Sequence, residues 1–464
     1  MDSFDLIVIG AGPGGYPAAI RAAQLGARTA IVEQEAIGGT CLNWGCIPTK
    51  SLIAGADLFA HLGRAAEYGI QAGETRADYP AMIARKDKIV AKLRGGVKQL
   101  LKANGVQTFE GTGSFQARNR IAVRAADGAL TTLETKHTVI ATGSTSVMPG
   151  FLPKHPRVVE SRAFLDRPSL PASMIVLGGG VIGCEFACMA AQLGVKVTVV
   201  ELLPEILAML DADAIMELRK HMQQKLGIRI LAGAPLTNIG ADDTGVSGTV
   251  GKETLRADLL LAALGRRPVT AGLDPAAAGV ALTDKGMVVV DAFGRTTAAS
   301  VYAIGDVNGG PQLAHAATAQ GIAAVEHALG HARRAFDALV PSCIFTAPEV
   351  GQVGLTEQQA QASQRAVTVG RFPFAALGRA LATGDSEGFV KLISDAQSDR
   401  LLGATAVGPH ATDLIAEATL AIKGEWTAAE LGRVIHAHPT FAESWMEAAH
   451  ALHGACIHAA PKRR

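Results

Sequence analysis

The stretch that decides the fold is DLIVIGAGPGGYPAAIRAAQLGARTAIVE, residues 5–33, in which an apolar run enters a glycine-rich turn and a second apolar run ends on a carboxylate. Residues 174–201, MIVLGGGVIGCEFACMAAQLGVKVTVVE, repeat the same template. The shared positions are Gly10, Gly12, Gly15 and Glu33 in the first copy and Gly178, Gly180, Gly183 and Glu201 in the second. Each copy therefore predicts a strand, a glycine turn, a helix and a second strand.

Each glycine of this template has its own physical purpose. The first makes the tight turn, the second lets the backbone approach a pyrophosphate, and the third lets the helix pack on the strand. Free amides and the dipole at the helix N-terminus then hold the phosphates. A carboxylate at the end of the second strand accepts hydrogen bonds from ribose hydroxyls and would repel a 2'-phosphate. Glu33 and Glu201 therefore predict two sites for dinucleotides with unphosphorylated adenosine riboses.

Composition narrows the class of protein. The chain has 464 residues, 48% hydrophobic, 18% charged and 5% aromatic, so about three folded domains are expected. A net charge of +1 gives no electrostatic reason to expect a nucleic acid or an anionic membrane as partner. The apolar region 174–200 contains glycines, Glu185 and Lys196, which predicts a buried strand and helix instead of a membrane span. The acidic N-terminus is unlike an export signal, so we expect a cytoplasmic protein.

The remaining segments complete the predicted architecture. Apolar runs at 138–143 and 301–306 end in small residues and predict buried strands, the second followed by a helix over 314–329. From about residue 341, a strand at 389–393 is interleaved with helices at 412–422 and 427–435, as in an α+β domain. Pro17 lies in the first turns of the first glycine-loop helix, where we expect it to distort the helix. The predicted fold class is α/β, with two Rossmann-like dinucleotide-binding domains and an α+β C-terminal domain.

The most specific signal is the pair Cys41 and Cys46 in GTCLNWGCIPTK, residues 39–50. On an ideal α-helix the α-carbons of these residues would lie about 8.6 Å apart. A disulfide requires roughly 4.4–6.8 Å. The two cysteines can therefore bridge only in a distorted turn, which Gly45 and Pro48 permit. The segment after Pro48 predicts a helix whose N-terminus would stabilise a thiolate.

The sequence leaves two alternative interpretations of Cys41 and Cys46 open. Zinc binding is disfavoured because no second cysteine or histidine pair has metal spacing, so no metal site is predicted. Cys41 and Cys46 as two inert buried thiols are a further alternative. Cys184 and Cys188 lie four positions apart on the helix of the second glycine loop, and we expect them to be small core residues.

With these motifs in order along nearly the whole chain, the sequence resembles the class I pyridine nucleotide-disulphide oxidoreductases. The resemblance covers about residues 5 to 450 and is most specific at the cysteine motif. Further matching segments are GRRP at 265–268, IGD at 304–306 with LAH at 313–315, FTAPEV at 345–350 and HAHPT at 436–440. The resemblance implies an FAD-binding domain at 1–149, an NAD-binding domain at 150–268, a central segment at 269–342 and a C-terminal dimerisation domain at 343–464.

The resemblance also implies roles for individual residues. Lys50 would lie near the flavin and pair with Glu185, while Asp306 would bind the flavin ribityl chain. His438 would be the base that moves protons during thiol-disulfide exchange, with Glu443 fixing its tautomer. The catalytic set is Cys41, Cys46, His438, Glu443, Lys50 and Glu185. The cofactor-binding set is Gly10, Gly12, Gly15, Glu33, Thr40, Lys50, Thr142, Gly143, Asp306, Ala314, His315, Gly178, Gly180, Gly183, Glu201, Gly265 and Arg266.

The implied activity is oxidation of dihydrolipoyl groups with reduction of NAD, through FAD and a Cys41–Cys46 disulfide. Cys41 would be the interchange thiol and Cys46 the thiol nearer the flavin. Expected partners are a second copy of the chain, whose site receives His438, the dihydrolipoyl domain of an acyltransferase or carrier protein, and small-molecule dihydrolipoamide. The alternative is a related NAD(P)H-dependent reductase, glutathione-reductase-like or mercuric-reductase-like, acting on another disulfide or a metal substrate. Glu201 opposes NADPH, and Cys456 has no neighbouring cysteine to form a C-terminal pair.

Overall fold

A computed structural model describes residues 2–331 and 335–460 of the chain. Its N-terminal part forms six of the seven strands of one sheet, and a later segment of the chain adds the seventh. The elements are β1 (Asp2–Ile9), α1 (Gly15–Gln24), β2 (Thr29–Glu33), α2 (Gly39–Trp44), α3 (Cys46–Gly63), α4 (Tyr79–Ala103), β3 (Gln107–Glu110), β4 (Thr112–Ala117), β5 (Arg120–Arg124), β6 (Leu130–Ile140) and β7 (Ser144–Ser146). β3, β2, β1 and β6 pair in parallel, and β5 and β4 continue from β6 in antiparallel pairing.

The apolar residues of β1 place this strand in the interior of the sheet, buried on both faces. Leu6, Ile7 and Val8 of β1 are completely buried because the strand is covered on both faces, as expected for a central parallel strand. The expected distortion at Pro17 is wrong, since α1 runs unbroken from Gly15 to Gln24. Pro17 is the third residue of the helix, where a backbone amide has no partner within the helix and its loss costs little.

The second glycine-turn unit forms its own five-stranded parallel sheet in the order β11-β10-β9-β15-β8. Its elements are β8 (Val158–Glu160), α5 (Ser161–Leu165), β9 (Ser173–Leu177), α6 (Val181–Gln192), β10 (Lys196–Glu201), α7 (Ala212–Gln224), β11 (Arg229–Ala232), β12 (Thr237–Asp242), β13 (Gly245–Val250), β14 (Glu253–Ala257), β15 (Leu259–Ala262) and β16 (Arg266–Pro268). The region 174–200 is therefore strand, turn, helix and strand, as predicted. Among the described residues, no helix has the length and apolar character needed to cross a membrane.

The chain then returns to the first sheet. β17 (Val301–Ala303) pairs in parallel with the end of β6, and α8 (Ala314–Ala328) follows it. This pairing brings the segment after Gly305 beside the first glycine turn, since a Cβ at Gly14 would lie 3.1 Å from the carbonyl oxygen of Ala317. The domain boundaries at 149, 268 and 342 stay predictions.

The C-terminal part is a five-stranded antiparallel sheet with helices, in the order β18-β19-β22-β21-β20. Its elements are β18 (Ser342–Ile344), β19 (Val350–Gly354), α9 (Glu357–Ala362), β20 (Val367–Pro373), α10 (Gly378–Ala382), β21 (Phe389–Asp395), β22 (Leu401–Val407), α11 (Ala411–Lys423), α12 (Ala428–Gly432) and α13 (Glu443–Leu452). The α+β character is as predicted.

One helix of this domain is shorter than the sequence pattern predicts. The expected helix over 427–435 ends at Gly432, and Ile435 is 96% exposed. A Cβ at Gly432 would meet the imidazole of His450 on α13, so the two helices cross closely at this glycine. After the helix ends, Val434 still packs against the C-terminal core, whereas Ile435 faces solvent. The sequence PKRR at 461–464 predicts a solvated tail, and these positions lie outside the described residues.

Candidate active site

Cys41 and Cys46 form a disulfide, with their α-carbons 4.7 Å apart. The predicted distortion is confirmed: α2 ends at Trp44, Gly45 breaks the helical path with φ −137° and ψ −109°, and α3 begins at Cys46. The buried Asn43 side chain donates to the carbonyl oxygens of Ile37 and Gly39 at 3.1 and 3.0 Å. The disulfide therefore closes the turn between the short helix α2 and the start of the longer helix α3.

Lys50 and Glu185 are paired, as the sequence comparison implied. Lys50 Nζ lies 2.9 and 2.7 Å from the two carboxylate oxygens of Glu185, whose side chain is only 4% exposed. The Phe345 amide also donates to Glu185 at 2.9 Å, and the Phe345 ring lies 4.7 Å from Lys50 Nζ. This pair connects α3, the helix that begins at the disulfide, to α6 of the second glycine loop. Phe345 was missed as a contributor because its hydrogen bond to Glu185 is made by the backbone amide.

The first glycine loop fits a bound dinucleotide. Gly10 has φ +103°, and a Cβ there would collide with the carbonyl of Ala141. At Gly15 a Cβ would collide with the carbonyl oxygen of Gly10. At Gly12, by contrast, the nearest atom to an added Cβ is 3.9 Å away. Two glycines are therefore required for packing, while the middle one leaves open space of the kind that a pyrophosphate needs.

The second glycine loop shows the same arrangement. Gly178 has φ +109°, and an added Cβ would collide with the carbonyl of Ala263. A Cβ at Gly183 would collide with the carbonyl oxygen of Gly178, whereas Gly180 has nothing within 4 Å. In both loops, therefore, the first and third glycines are packed against backbone, and the middle glycine faces open space. Both fit the phosphates of a dinucleotide at the N-terminus of the following helix.

Glu33 and Glu201 occupy equivalent positions at the ends of β2 and β10. Glu33 accepts from the amides of Ala11 and Glu35 at 2.7 and 2.9 Å. Glu201 accepts from the amides of Gly179 and Leu203 at 2.6 and 2.7 Å. These bonds fix each carboxylate beside its glycine turn. Each oxygen retains a lone pair with which to accept from a ribose hydroxyl.

Asp306 belongs to a polar group that joins three segments of the chain. Ser144 Oγ donates to Asp306, and Arg266 donates to the hydroxyl and the carbonyl oxygen of Ser144, both at 2.7 Å. Arg266 Nε is 3.9 Å from Asp306. Burial lowers the pKa of Arg266 below its usual value, against the opposing effect of Asp306. Ser144 was not predicted as a site residue, although it directly follows the predicted Thr142-Gly143 turn.

The other predicted cofactor residues lie at turns and helix starts. Thr142 Oγ1 donates to the carbonyl oxygen of Val269 at 2.6 Å. His315 Nε2 lies 2.7 Å from the carbonyl oxygen of Pro341. Gly143 and Gly265 have φ of +68° and +94°, Thr40 lies in α2, and Ala314 begins α8. The roles of these residues in binding a cofactor stay predictions.

The predicted base and its carboxylate are also in contact. His438 Nδ1 is 2.8 Å from Glu443 Oε1, and the amide of Thr440 donates to Glu443 Oε2 at 2.8 Å. Burial alone would raise the pKa of Glu443, but the Thr440 amide and His438 together hold it below its usual value. Within the described residues of this chain, no hydrogen bond joins this pair to the Cys41–Cys46 turn. The His438 side chain is 77% exposed, so it is accessible to groups outside its own chain.

The remaining cysteines are separate from this chemistry. Cys184 and Cys188 are buried and unbridged, as predicted for core residues. Burial raises the pKa of Cys188 to about 12 and moves that of Cys184 well above its usual value, so neither thiol ionises readily. Cys343 and Cys456 are also unbridged and partly buried.

Comparison with known proteins identifies the class to which this fold and disulfide belong. Residues 4–321 match the family model described as pyridine nucleotide-disulphide oxidoreductase, and residues 340–449 match the dimerisation domain of the same family. The chain therefore belongs to the pyridine nucleotide-disulphide oxidoreductase family. Enzymes of this family use FAD and NAD, and the dimerisation domain supports the expected homodimer.

Individual relatives show which members of the family this chain is similar to. The chain is 44% identical to a dihydrolipoyl dehydrogenase of Haloferax volcanii, with 98% of this chain and 97% of the relative covered. It is 42% identical to that of Thermus scotoductus, with 99% of each covered. Among solved structures, LpdA from Mycobacterium tuberculosis matches with a TM-score of 0.91 at 30% identity, covering 97% of this chain and 99% of that one. A HOCl-induced flavoprotein disulfide reductase from Escherichia coli matches with a TM-score of 0.87 at 30% identity, covering 96% and 99%.

Proposed function

We propose that the protein is a dihydrolipoyl dehydrogenase, which oxidises protein-bound or free dihydrolipoamide and reduces NAD. The disulfide between Cys41 and Cys46, in a turn beside the Lys50–Glu185 pair, is the observation that carries this proposal. Full-length identity of about 40% to enzymes of that name supports it. The glutathione-reductase-like and mercuric-reductase-like alternatives are not better supported than a dihydrolipoyl dehydrogenase.

The two glycine loops divide the cofactors between them. The loop at Gly10–Gly15 and Glu33 would hold FAD, with Asp306 toward the ribityl chain, while the loop at Gly178–Gly183 and Glu201 would hold NAD. When bound, the FAD supplies a two-electron carrier between a dithiol and the nicotinamide. The carboxylates of Glu33 and Glu201 select dinucleotides without a 2'-phosphate.

The chain's own residues perform the thiol-disulfide exchange. One thiolate of the substrate attacks Cys41 Sγ, which forms a mixed disulfide, breaks the Cys41–Cys46 bond and leaves Cys46 as a thiolate. The second substrate thiol then attacks the substrate sulfur of the mixed disulfide and releases Cys41. The substrate closes to its cyclic disulfide and loses two electrons, and the two cysteines gain them.

His438 of the partner subunit moves the protons of this exchange. It takes and holds the proton of the first substrate thiol, while the proton of the second substrate thiol passes to Cys41 as that sulfur is released. Nδ1 of the imidazole is engaged by Glu443, so Nε2 is the nitrogen that accepts the proton. The exposure of His438 supports a site completed across the dimer.

We also propose that the natural substrate is the dihydrolipoyl domain of an acyltransferase or carrier protein. The exposed base and the turn near the surface suit a lipoyl group delivered on a flexible arm. The cytoplasmic location expected from the sequence stays a prediction.

A parallel turnover assay tests the proposal. Purified holoenzyme is assayed with dihydrolipoamide, glutathione disulfide and mercuric ion, each with NAD(H) and NADP(H). We expect turnover with dihydrolipoamide and NAD to exceed every other combination. Faster reduction of glutathione disulfide or mercuric ion would overturn the substrate assignment.

A further inference from the structure

A cation–π contact connects the disulfide turn to a second unit of the fold. The guanidinium of Arg162, near the start of α5, lies 3.8 Å from the ring centroid of Trp44. Trp44 is the last residue of α2 and precedes the Gly45 break between the two bridged cysteines. The contact is therefore made by the turn that opens and closes during the proposed reaction.

Arg162 is itself held on two sides. Its Nη2 lies 2.5 Å from Glu35 Oε1, and its backbone amide donates to Glu160 Oε2, the N-cap of α5, at 2.9 Å. The Glu35 amide donates to Glu33, the carboxylate that ends β2. A continuous set of contacts thus runs from the end of β2 through Arg162 to the indole of Trp44.

We propose that Arg162 is a positioning residue for the redox pair, because it clamps Trp44 and keeps the turn closed when the disulfide opens. This inference rests on the proposed function, in which the disulfide opens reversibly. In the oxidised protein the sulfur–sulfur bond constrains the turn together with the contacts of Asn43 and Trp44. In the reduced protein that constraint is lost, and the turn keeps its shape only through contacts such as those of Trp44 and Asn43.

The chemistry of the clamp suits this purpose. A guanidinium stacks flat on an indole, which restricts the ring without a covalent bond. Arg162 and Glu35 are 44% and 46% exposed, so their ion pair contributes little energy by itself and serves to orient the guanidinium. Asn43 holds the buried side of the turn, and Trp44 with Arg162 holds the outer side.

Restricting the reduced turn keeps the two thiols close together. Without the clamp the reduced turn gains conformational freedom, which favours the dithiol over the disulfide. We expect Arg162→Ala to lower the equilibrium constant for disulfide closure about tenfold, which corresponds to roughly 30 mV in reduction potential. Arg162→Lys keeps the charge but loses the flat guanidinium, so its closure constant should fall nearly as far as that of Arg162→Ala. Trp44→Phe keeps an aromatic face for Arg162, so its closure constant should stay close to that of the wild type.

The experiment equilibrates holoenzyme with defined ratios of reduced and oxidised dithiothreitol, quenches it by alkylation, and measures Cys41 and Cys46 by mass spectrometry. Arg28→Ala is the matched control, because Arg28 also stacks on an aromatic ring, Phe4 at 4.9 Å, and pairs with a carboxylate, Asp2 at 3.9 Å, away from the disulfide. Thermal unfolding of the oxidised variants separates positioning from general destabilisation.

The outcomes separate this inference from the proposed function. A closure constant lowered in Arg162→Ala and unchanged in Arg28→Ala supports the clamp. A closure constant equal to wild type in Arg162→Ala overturns the clamp while the proposed function stands. If the wild-type disulfide fails to equilibrate with dithiothreitol at all, the proposed function fails with it.

Discussion

The Nδ1 atom of His438 lies 2.8 Å from Oε1 of Glu443, while the imidazole is 77% exposed. A histidine oriented this firmly by a carboxylate, yet so open to solvent, has its second nitrogen available to a group outside its own chain. We propose that this group is the disulfide of a second subunit, and the match to a dimerisation domain over residues 340–449 supports a dimer in which the two could meet. The carboxylate fixes which nitrogen can accept a proton.

The first prediction concerns this base. His438→Gln should lower turnover of dihydrolipoamide by about 10²-fold or more, because general-base catalysis typically contributes that much. Steady-state assays of NADH formation measure the loss. His453→Gln is the matched control, since His453 also contacts a carboxylate of the C-terminal domain, Asp399 at 2.9 Å. Turnover that falls equally in both variants would remove the base assignment.

The second prediction concerns the Lys50–Glu185 pair. Lys50→Met leaves the buried carboxylate of Glu185 without its cation and should lower the free energy of unfolding by about 3 kcal/mol. Lys136→Met is the control, because Lys136 pairs with Asp5 at the surface and its loss should cost about 1 kcal/mol or less. Urea unfolding provides the measurement. Adding Glu185→Gln to Lys50→Met should recover part of the loss, and equal costs for the two lysine variants would contradict the account.

The fold was predictable wherever one pattern contained both the apolar periodicity and the turn chemistry. Residues 5–33 and 174–201 carry strand, glycine turn, helix and carboxylate within about thirty positions, and both form the predicted units. The end of α12 was not predictable, because the close crossing at Gly432 depends on His450, which lies eighteen positions later in the chain, on α13. The local effect of Pro17 was misjudged, because its cost depends on its position within the helix.

The site was predictable to the extent that its side chains lie in motifs. The cysteines, Lys50 and the His438–Glu443 pair all lie in short distinctive segments. Ser144, Phe345 and Arg162 were missed as site residues because their contacts depend on how distant segments meet. Phe345 contributes a backbone amide to a carboxylate 160 positions away, a contact that leaves no mark in the side-chain sequence.

The third prediction concerns nicotinamide choice. Glu201 should make NAD(H) the better substrate by at least tenfold in kcat/KM, because its carboxylate repels a 2'-phosphate. Glu201→Ala should reduce this preference, whereas the surface variant Glu253→Ala should keep it. The ratio of kcat/KM values for the two nicotinamides measures the effect. Equal use of NADP(H) by the wild type would show that the role of Glu201 is wrong.

The fourth prediction concerns the C-terminal segment, which is attached to the buried Glu447 of α13. Glu447 lies 2.6 Å from His458 Nδ1 and accepts from the amide of Ile457 at 3.1 Å. Glu447 raises the pKa of His458 above its usual 6.5, so this contact stabilises the segment fully below pH 6.5 and is lost as pH rises through the raised value. Burial opposes ionisation of Glu447, but His458 and neighbouring groups lower its pKa below 4.5.

Because the pKa of Glu447 is lowered, the attachment is also lost as the pH falls through that lowered pKa. The attachment of the C-terminal segment is therefore strongest between about pH 4.5 and pH 6.5. Hydrogen exchange of residues 456–460, corrected for the intrinsic pH dependence of exchange, should show less protection at pH 9 than at pH 6. His458→Gln should abolish this difference. Protection that is unchanged between the two pH values in the wild type would contradict the attachment.

The central claim is that the Cys41–Cys46 disulfide opens and closes against a bound FAD, and an anaerobic titration of holoenzyme with dihydrolipoamide tests it most directly. Alkylation and mass spectrometry of residues 39–50 follow the cysteines, and visible absorbance follows the flavin. We expect one equivalent of dihydrolipoamide to supply the two electrons that open the disulfide, a second equivalent to supply the two that bleach the flavin, NAD to reverse both changes, and Cys46→Ser to bind FAD without responding. A purified protein that carries no FAD, or a disulfide that stays closed under excess dihydrolipoamide, would contradict the account.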